Sequence, residues 1–176
     1  MKVQDQSSEE LKSLAKRIEW SRVAMLTMCD AQGELSSQPM TVIEMDANGC
    51  LWLLVSKSGH TARMAPEGIG MDTVNLAFSD EVRSTFTSVT AHATLSHDRQ
   101  RKEELWSVMA RPWFPHGVED PDLAVLRLEP VKAEIWDGPD SSVIRMLALA
   151  ALAALVVAGK PLGLGDHETH ALEPKS

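Results

Sequence analysis

Two four-residue turns, Asp30-Ala31-Gln32-Gly33 and Asp46-Ala47-Asn48-Gly49, constrain this chain more than any other feature. Each falls between runs of strand-forming residues, and Asn-Gly between such runs is the strongest short-range hairpin signal a sequence carries. Val23 to Met28, Leu35 to Glu44 and Leu51 to Val55 are therefore expected to pair as consecutive antiparallel strands. Pro39 lies inside the second of them and removes a ladder donor. That strand is expected at a sheet edge, or interrupted, with backbone groups left free for a ligand.

Further strands are expected at Val74 to Phe78, Thr85 to Leu95, Leu123 to Leu128 and Val131 to Trp136, the last two separated by Pro130. Helices are expected at Ser7 to Glu19, with Ser7 and Glu10 at capping-box spacing, and at Asp98 to Ala110, with Leu105, Val108 and Met109 as its apolar face. His60 to Ala65 has room for a short helix before Pro66, and Arg111 to Pro121 is too proline-rich for regular structure. Met146 to Ala158 is an unbroken apolar run, shorter than the roughly 20 residues a bilayer crossing needs, and reads as a buried alanine-rich helix. With no βαβ rhythm and no GxGxxG, the expected class is mainly β with flanking helices (α+β): an antiparallel split β-barrel. Residues 1–160 form one domain in this reading, followed by a poorly ordered tail over 161–176.

The chain's 176 residues suffice for such a core, and 44% hydrophobic with 24% charged content is ordinary for a soluble protein. A net charge of −8 argues against nucleic acid as a partner but not against a small anion held by local cations. The N-terminus MKVQDQSSEE is no secretory signal, and Cys29 and Cys50 read as two reduced, buried thiols of a cytoplasmic protein with no membrane partner. The five tryptophans read mostly as core, except Trp113, which stands beside Phe114 in the proline-bounded loop.

Chemistry is sparsely signalled. No histidine pair has HExxH spacing, no Cys/His cluster suggests zinc, and no GxSxG elbow supports a nucleophile, so no metal site and no catalytic residue is assigned. What remains is Ser56-Lys57-Ser58-Gly59-His60-Thr61, a turn of hydroxyls and basic groups at the end of the Leu51 to Val55 strand and followed by Arg63. Hydroxyls, free amides and nearby cations are what a phosphate needs, although a polar turn at a strand end is the commoner meaning of such a stretch.

Ser88 to Gly138 resembles the general stress protein group of the pyridoxamine 5'-phosphate oxidase-like, FMN-binding split-barrel superfamily. The features are Thr90-Ala91-His92-Ala93, Glu104-Leu105-Trp106, Trp113-Phe114-Pro115, Gly117, Asp120-Pro121, Leu126-Arg127, Pro130 and Ala133-Glu134-Ile135-Trp136-Asp137-Gly138. Upstream, Pro39-Met40 and Ser56 to Thr61 are similar to the group's flavin and phosphate segments, so the likeness runs from about Leu11 to Ala158. It implies a homodimer with FMN, or FAD as an alternative, in two clefts at the subunit interface. It further implies Gln38, Pro39, Met40 and Thr41 beside the isoalloxazine. Val55, Ser56, Lys57, Ser58, His60 and Thr61, with Arg63, would hold the ribityl phosphate, and Trp113 would approach from the partner chain. Two positions depart from the group: Gln38 stands where arginine is frequent, and Thr61 where lysine is usual, which leaves Lys57, His60 and Arg63 to supply positive charge.

The expectation is a flavin-binding protein of the general stress type. It is a possible FMN-dependent oxidoreductase of unknown substrate, and not an efficient pyridoxamine phosphate oxidase. The alternatives are a non-catalytic flavin-binding or stress-response module, and a dimeric interaction protein that has lost flavin.

Overall fold

Each predicted turn makes its hairpin. Asp30 Oδ1 accepts the N–H groups of Gln32 (2.9 Å) and Glu34 (2.8 Å), and Asp46 Oδ1 accepts those of Asn48 and Cys50 (both 3.0 Å). The structure, a computed structural model, describes residues 1–30, 32–59, 61–62, 72–138 and 166–171. In chain order it has β1 (Lys2–Val3), α1 (Glu9–Ile18), β2 (Val23–Cys29), β3 (Leu35–Thr41), β4 (Glu44–Met45), β5 (Leu51–Ser56), β6 (Asp72–Asp80) and β7 (Thr85–Ser96), then α2 (Arg99–Leu105), β8 (Leu123–Asp137) and β9 (Asp166–Ala171).

The described strands form one sheet in the order β1-β4-β5-β8-β7-β6-β2-β3, with β9 added beside β8. All pairs are antiparallel except β1 with β4, so the barrel is mixed rather than purely antiparallel as expected. The split-barrel architecture itself stands. The segment from Leu35 to Met45 explains the curl. It pairs with β2 up to Thr41, then Val42 N–H still reaches Arg22 O (3.1 Å) while Ile43 N–H turns to Trp52 O (2.9 Å) and β4 joins β5. One segment thus serves both ends of the sheet. β3 keeps an unpaired edge among the described strands, as Pro39 required.

Alternation along the strands sends one set of side chains into the core: Ala24, Leu26 and Met28 from β2, Leu51, Leu53 and Val55 from β5, Val74, Leu76 and Phe78 from β6, and Leu126 and Leu128 from β8. Leu14, Ala15 and Ile18 of α1 close this core. α2 lies on the opposite face, against β5 and β8, with Leu105 buried there.

Several expectations are corrected. The cap of α1 is Ser8, whose Oγ accepts Leu11 N–H (3.3 Å), because Ser7 N–H is spent on Ala47 O (3.3 Å) in the second turn. α2 stops at Leu105, since Ser107 caps a separate turn through Met109 N–H (3.3 Å), and Val108 and Met109 are left exposed instead of forming an apolar face. The two strands expected around Pro130 are one. Pro130 fits because β5 pairs with β8 only up to Leu128 and β9 only from Lys132, while the β7 register shifts opposite it between Thr90 and Ala91. No tryptophan is buried: Trp52 and Trp106 are half-covered, and Trp20, Trp113 and Trp136 are exposed. Cys50 is buried but Cys29 is exposed. Within the expected poorly ordered tail, Asp166–Ala171 pairs as a strand with Lys132 to Asp137. The alanine-rich run from Met146 to Ala158 and most of the His60 to Ala65 segment lie outside the described residues, although Thr61 and Ala62 are helical. No described helix is long and apolar enough to cross a membrane.

Candidate functional site

The Ser56–Thr61 turn lies where β5 ends against the start of β8, Ser56 facing Leu123 across the ladder. That register brings Asp122 to the turn. Its Oδ1 accepts the Ser58 N–H (2.8 Å), and its Oδ2 accepts the Ser56 hydroxyl and the Ser58 hydroxyl (3.3 Å). Its main-chain oxygen accepts the Lys57 N–H at 2.7 Å. Asp120 positions Asp122 in turn, accepting its N–H at 3.0 Å and that of His116 at 3.2 Å. The bond from Ser56, then the one from the Ser58 amide, hold the Asp122 carboxyl below the usual carboxylate range, with the Lys57 charge adding to them.

Two lysines stand near. Lys57 is exposed on the turn, and Lys102 of α2 is buried along its stem, its ammonium pKa lowered first by burial and then by the charge of Lys57. Across the split, the Gln38 side-chain amide donates to the hydroxyl of the buried Thr61. That bond joins β3 to the segment after β5, strands at well-separated places in the sheet order.

The structure therefore brings together Gln38, Val55, Ser56, Lys57, Ser58 and Thr61. Pro39, Met40 and Thr41 occupy the same edge strand but do not share a face. Pro39 and Thr41 are exposed, whereas Met40, on the side of Gln38, packs against the core. Trp113 follows α2 and is 74% exposed, and no described hydrogen bond joins it to the turn. His60 and Arg63 lie outside the described residues. Asp122 went unrecognised in the sequence, and no local signal could have found it. Its partners are more than 60 positions upstream, and only the β5–β8 register reveals them.

Elsewhere the chemistry is quiet. Burial, then the nearby Asp46 charge, pushes the Cys50 thiol up to about 11 despite Arg127, whose Nη2 donates to its sulfur at 3.0 Å. It stays protonated at neutral pH and is no nucleophile. Among the described residues no three His, Cys, Asp or Glu side chains group as metal ligands.

A curled sheet closed by one shared segment, with a polar turn in its split, defines a split-barrel protein. The model of the pyridoxamine 5'-phosphate oxidase like family matches residues 9–160, and the chain belongs to that family. Among solved structures it is similar to one described as a general stress protein 26 of Jannaschia sp. CCS1, at 24% identity and TM-score 0.67, covering 93% of this chain and 99% of the other. It is similar also to the general stress FMN/FAD binding protein of Xanthomonas citri, at 29% identity and TM-score 0.64, covering 76% and 93%. A general stress family protein of Xanthomonas campestris pv. campestris is 29% identical with TM-score 0.63, covering 76% and 90%. No curated protein matches the chain.

The family is of an FMN-binding type, and the two ends of the split differ in how they fit that group. The unpaired edge of β3 suits the polar rim of a flat ring, with main-chain groups free to bond it. Among the described residues the phosphate end does not suit a dianion. Ser56, Ser58 and the Ser58 amide already serve a carboxylate, and the Gln38–Thr61 pair is neutral.

Proposed function

We propose that this protein binds a flavin in the split between β3 and the β5 turn, as a cytoplasmic homodimer with the site at the subunit boundary. The observation that carries the reading is the free edge of β3 at Pro39-Met40-Thr41, tied through Gln38 to Thr61 of the polar turn, in a chain of this family. The likeness to the FMN/FAD binding protein of Xanthomonas citri supports it.

A bound flavin supplies hydride and electron transfer, and the protein contributes orientation and charge. β3 would offer backbone donors and acceptors to the ring rim, and Lys57 a cation near the ribityl end. In the partner chain, Trp113 would cover the ring. Pyridoxamine phosphate is not expected to be oxidised efficiently.

The test is a fluorescence titration of purified protein with FMN, FAD and riboflavin. Saturable quenching at one flavin per chain is expected, and no quenching by any of the three overturns the reading. A flavin-free interaction module is the second reading, favoured by the neutral Gln38–Thr61 pair. The same titration decides between them.

A further inference from the structure

We propose that Asp122 is the resident anion of the Ser56–Ser58 turn, so that the protein takes flavin by its ring and ribityl chain and gains nothing from a terminal phosphate. This rests on the flavin reading above and sharpens its ligand class to flavins irrespective of phosphorylation.

The donors that a phosphate at this turn would need are the Ser56 hydroxyl, the Ser58 hydroxyl and the Ser58 amide. All three converge on the two carboxylate oxygens of Asp122. The carboxylate is not a loose surface group. The Lys57 amide bonds its main-chain oxygen (2.7 Å), and Asp120 holds its own amide (3.0 Å). A phosphate dianion arriving here would meet a fixed negative charge and lose the donors it came for, with the cost of like charges at close range added. Elsewhere in the split the two side chains that meet, Gln38 and Thr61, carry no charge and satisfy each other. Lys57 is exposed on the turn, and its charge adds only to the bonds that already lower the Asp122 pKa. Among the described residues Lys102 remains, but it sits on α2 with Glu119 as the carboxylate opposing it.

Riboflavin and FMN, which differ only in the phosphate, separate ring binding from anion binding. Quenching titrations of the wild type are expected to give dissociation constants for the two within about threefold of each other. Asp122→Asn keeps the shape of the side chain and removes its charge. It is expected to tighten FMN by about tenfold or more while leaving riboflavin within about twofold. Inorganic phosphate gives an arm that needs no flavin: it should raise the melting temperature of Asp122→Asn and of Asp122→Ala, and not that of the wild type. A wild type that binds FMN more than about tenfold tighter than riboflavin overturns the proposal. So does an Asp122→Asn protein that folds and gains neither FMN preference nor phosphate stabilisation, which is the behaviour of a purely structural clamp. Phosphate stabilisation of the variants in the absence of any flavin binding would support the Asp122 assignment and remove the flavin reading instead.

Discussion

Glu44 holds three partners at once. Buried at the β4 edge, it accepts from Gln4 Nε2 (2.8 Å) and from Arg101 Nη2 (2.9 Å), and its other oxygen pairs with Lys2 Nζ at 3.1 Å. Arg101 lies over the Trp52 ring at 4.1 Å, and the Trp52 indole N–H donates to Asp46 Oδ2 at 2.8 Å. One carboxylate thereby links β1, β4, α2 and the second turn. Burial pushes its pKa up, but bonds from Arg101 and Lys2 outweigh that and hold it below the ordinary value. A carboxyl whose folded pKa is depressed contributes stability above its unfolded pKa and loses it as pH falls through the folded one. Glu44→Gln should therefore cost about 3 kcal/mol at neutral pH, the order found when one member of a buried pair is removed. In acid the two proteins should converge, and urea denaturation across that range is the measurement. An equal gap at every pH would show that the loss is packing and not charge.

At the scale of elements, the two turns carry glycines of the same backbone conformation in different surroundings. Gly33 and Gly49 both have φ of 85°, which side chains of L-residues rarely adopt. A Cβ on Gly33 would meet nothing within 4 Å, whereas one on Gly49 would come within 2.5 Å of Leu11 Cδ2 on α1. Gly33→Ala should cost about 1 kcal/mol from backbone strain alone, and Gly49→Ala measurably more, because the Leu11 side chain must give way as well. Thermal unfolding of the two variants isolates that helix–turn contact. Both turns and most strands were legible in the sequence because hairpin chemistry is local. So was the edge position of β3, from a single proline. What was not legible depends on distant register. Ser107 divided a helix whose periodicity continued past it, and β9 joined β8 on backbone bonds that composition does not advertise. At the candidate site the sequence identified the turn and its two neutral departures, Gln38 and Thr61. It could not show that these two bond each other, nor that Asp122 is the turn's partner.

On the whole molecule, the outer face of the β2–β3 edge carries exposed apolar side chains: Val23 is 53% exposed, Met25 41% and Leu35 74%. The register sets Met25 opposite Pro39 and Leu35 opposite Cys29 on this one face, with the hydrogen-bonded Thr27 and Ser37 between them. A second copy seated there would bury it, in keeping with the homodimer proposed above. Met25→Glu should convert a particle of twice the 19.3 kDa chain mass into one of a single chain, read by light scattering, with circular dichroism unchanged. An unaltered mass would move the dimer contact elsewhere. Pro39 gives this arrangement a further property. An exposed strand edge is a template on which other chains can stack indefinitely, and β3 is such an edge, but its midpoint has no N–H to offer. An incoming strand would meet a gap in the ladder, so growth along the edge is checked while faces remain free to meet. The proline that leaves room in the split also guards the chain against fibrous self-assembly.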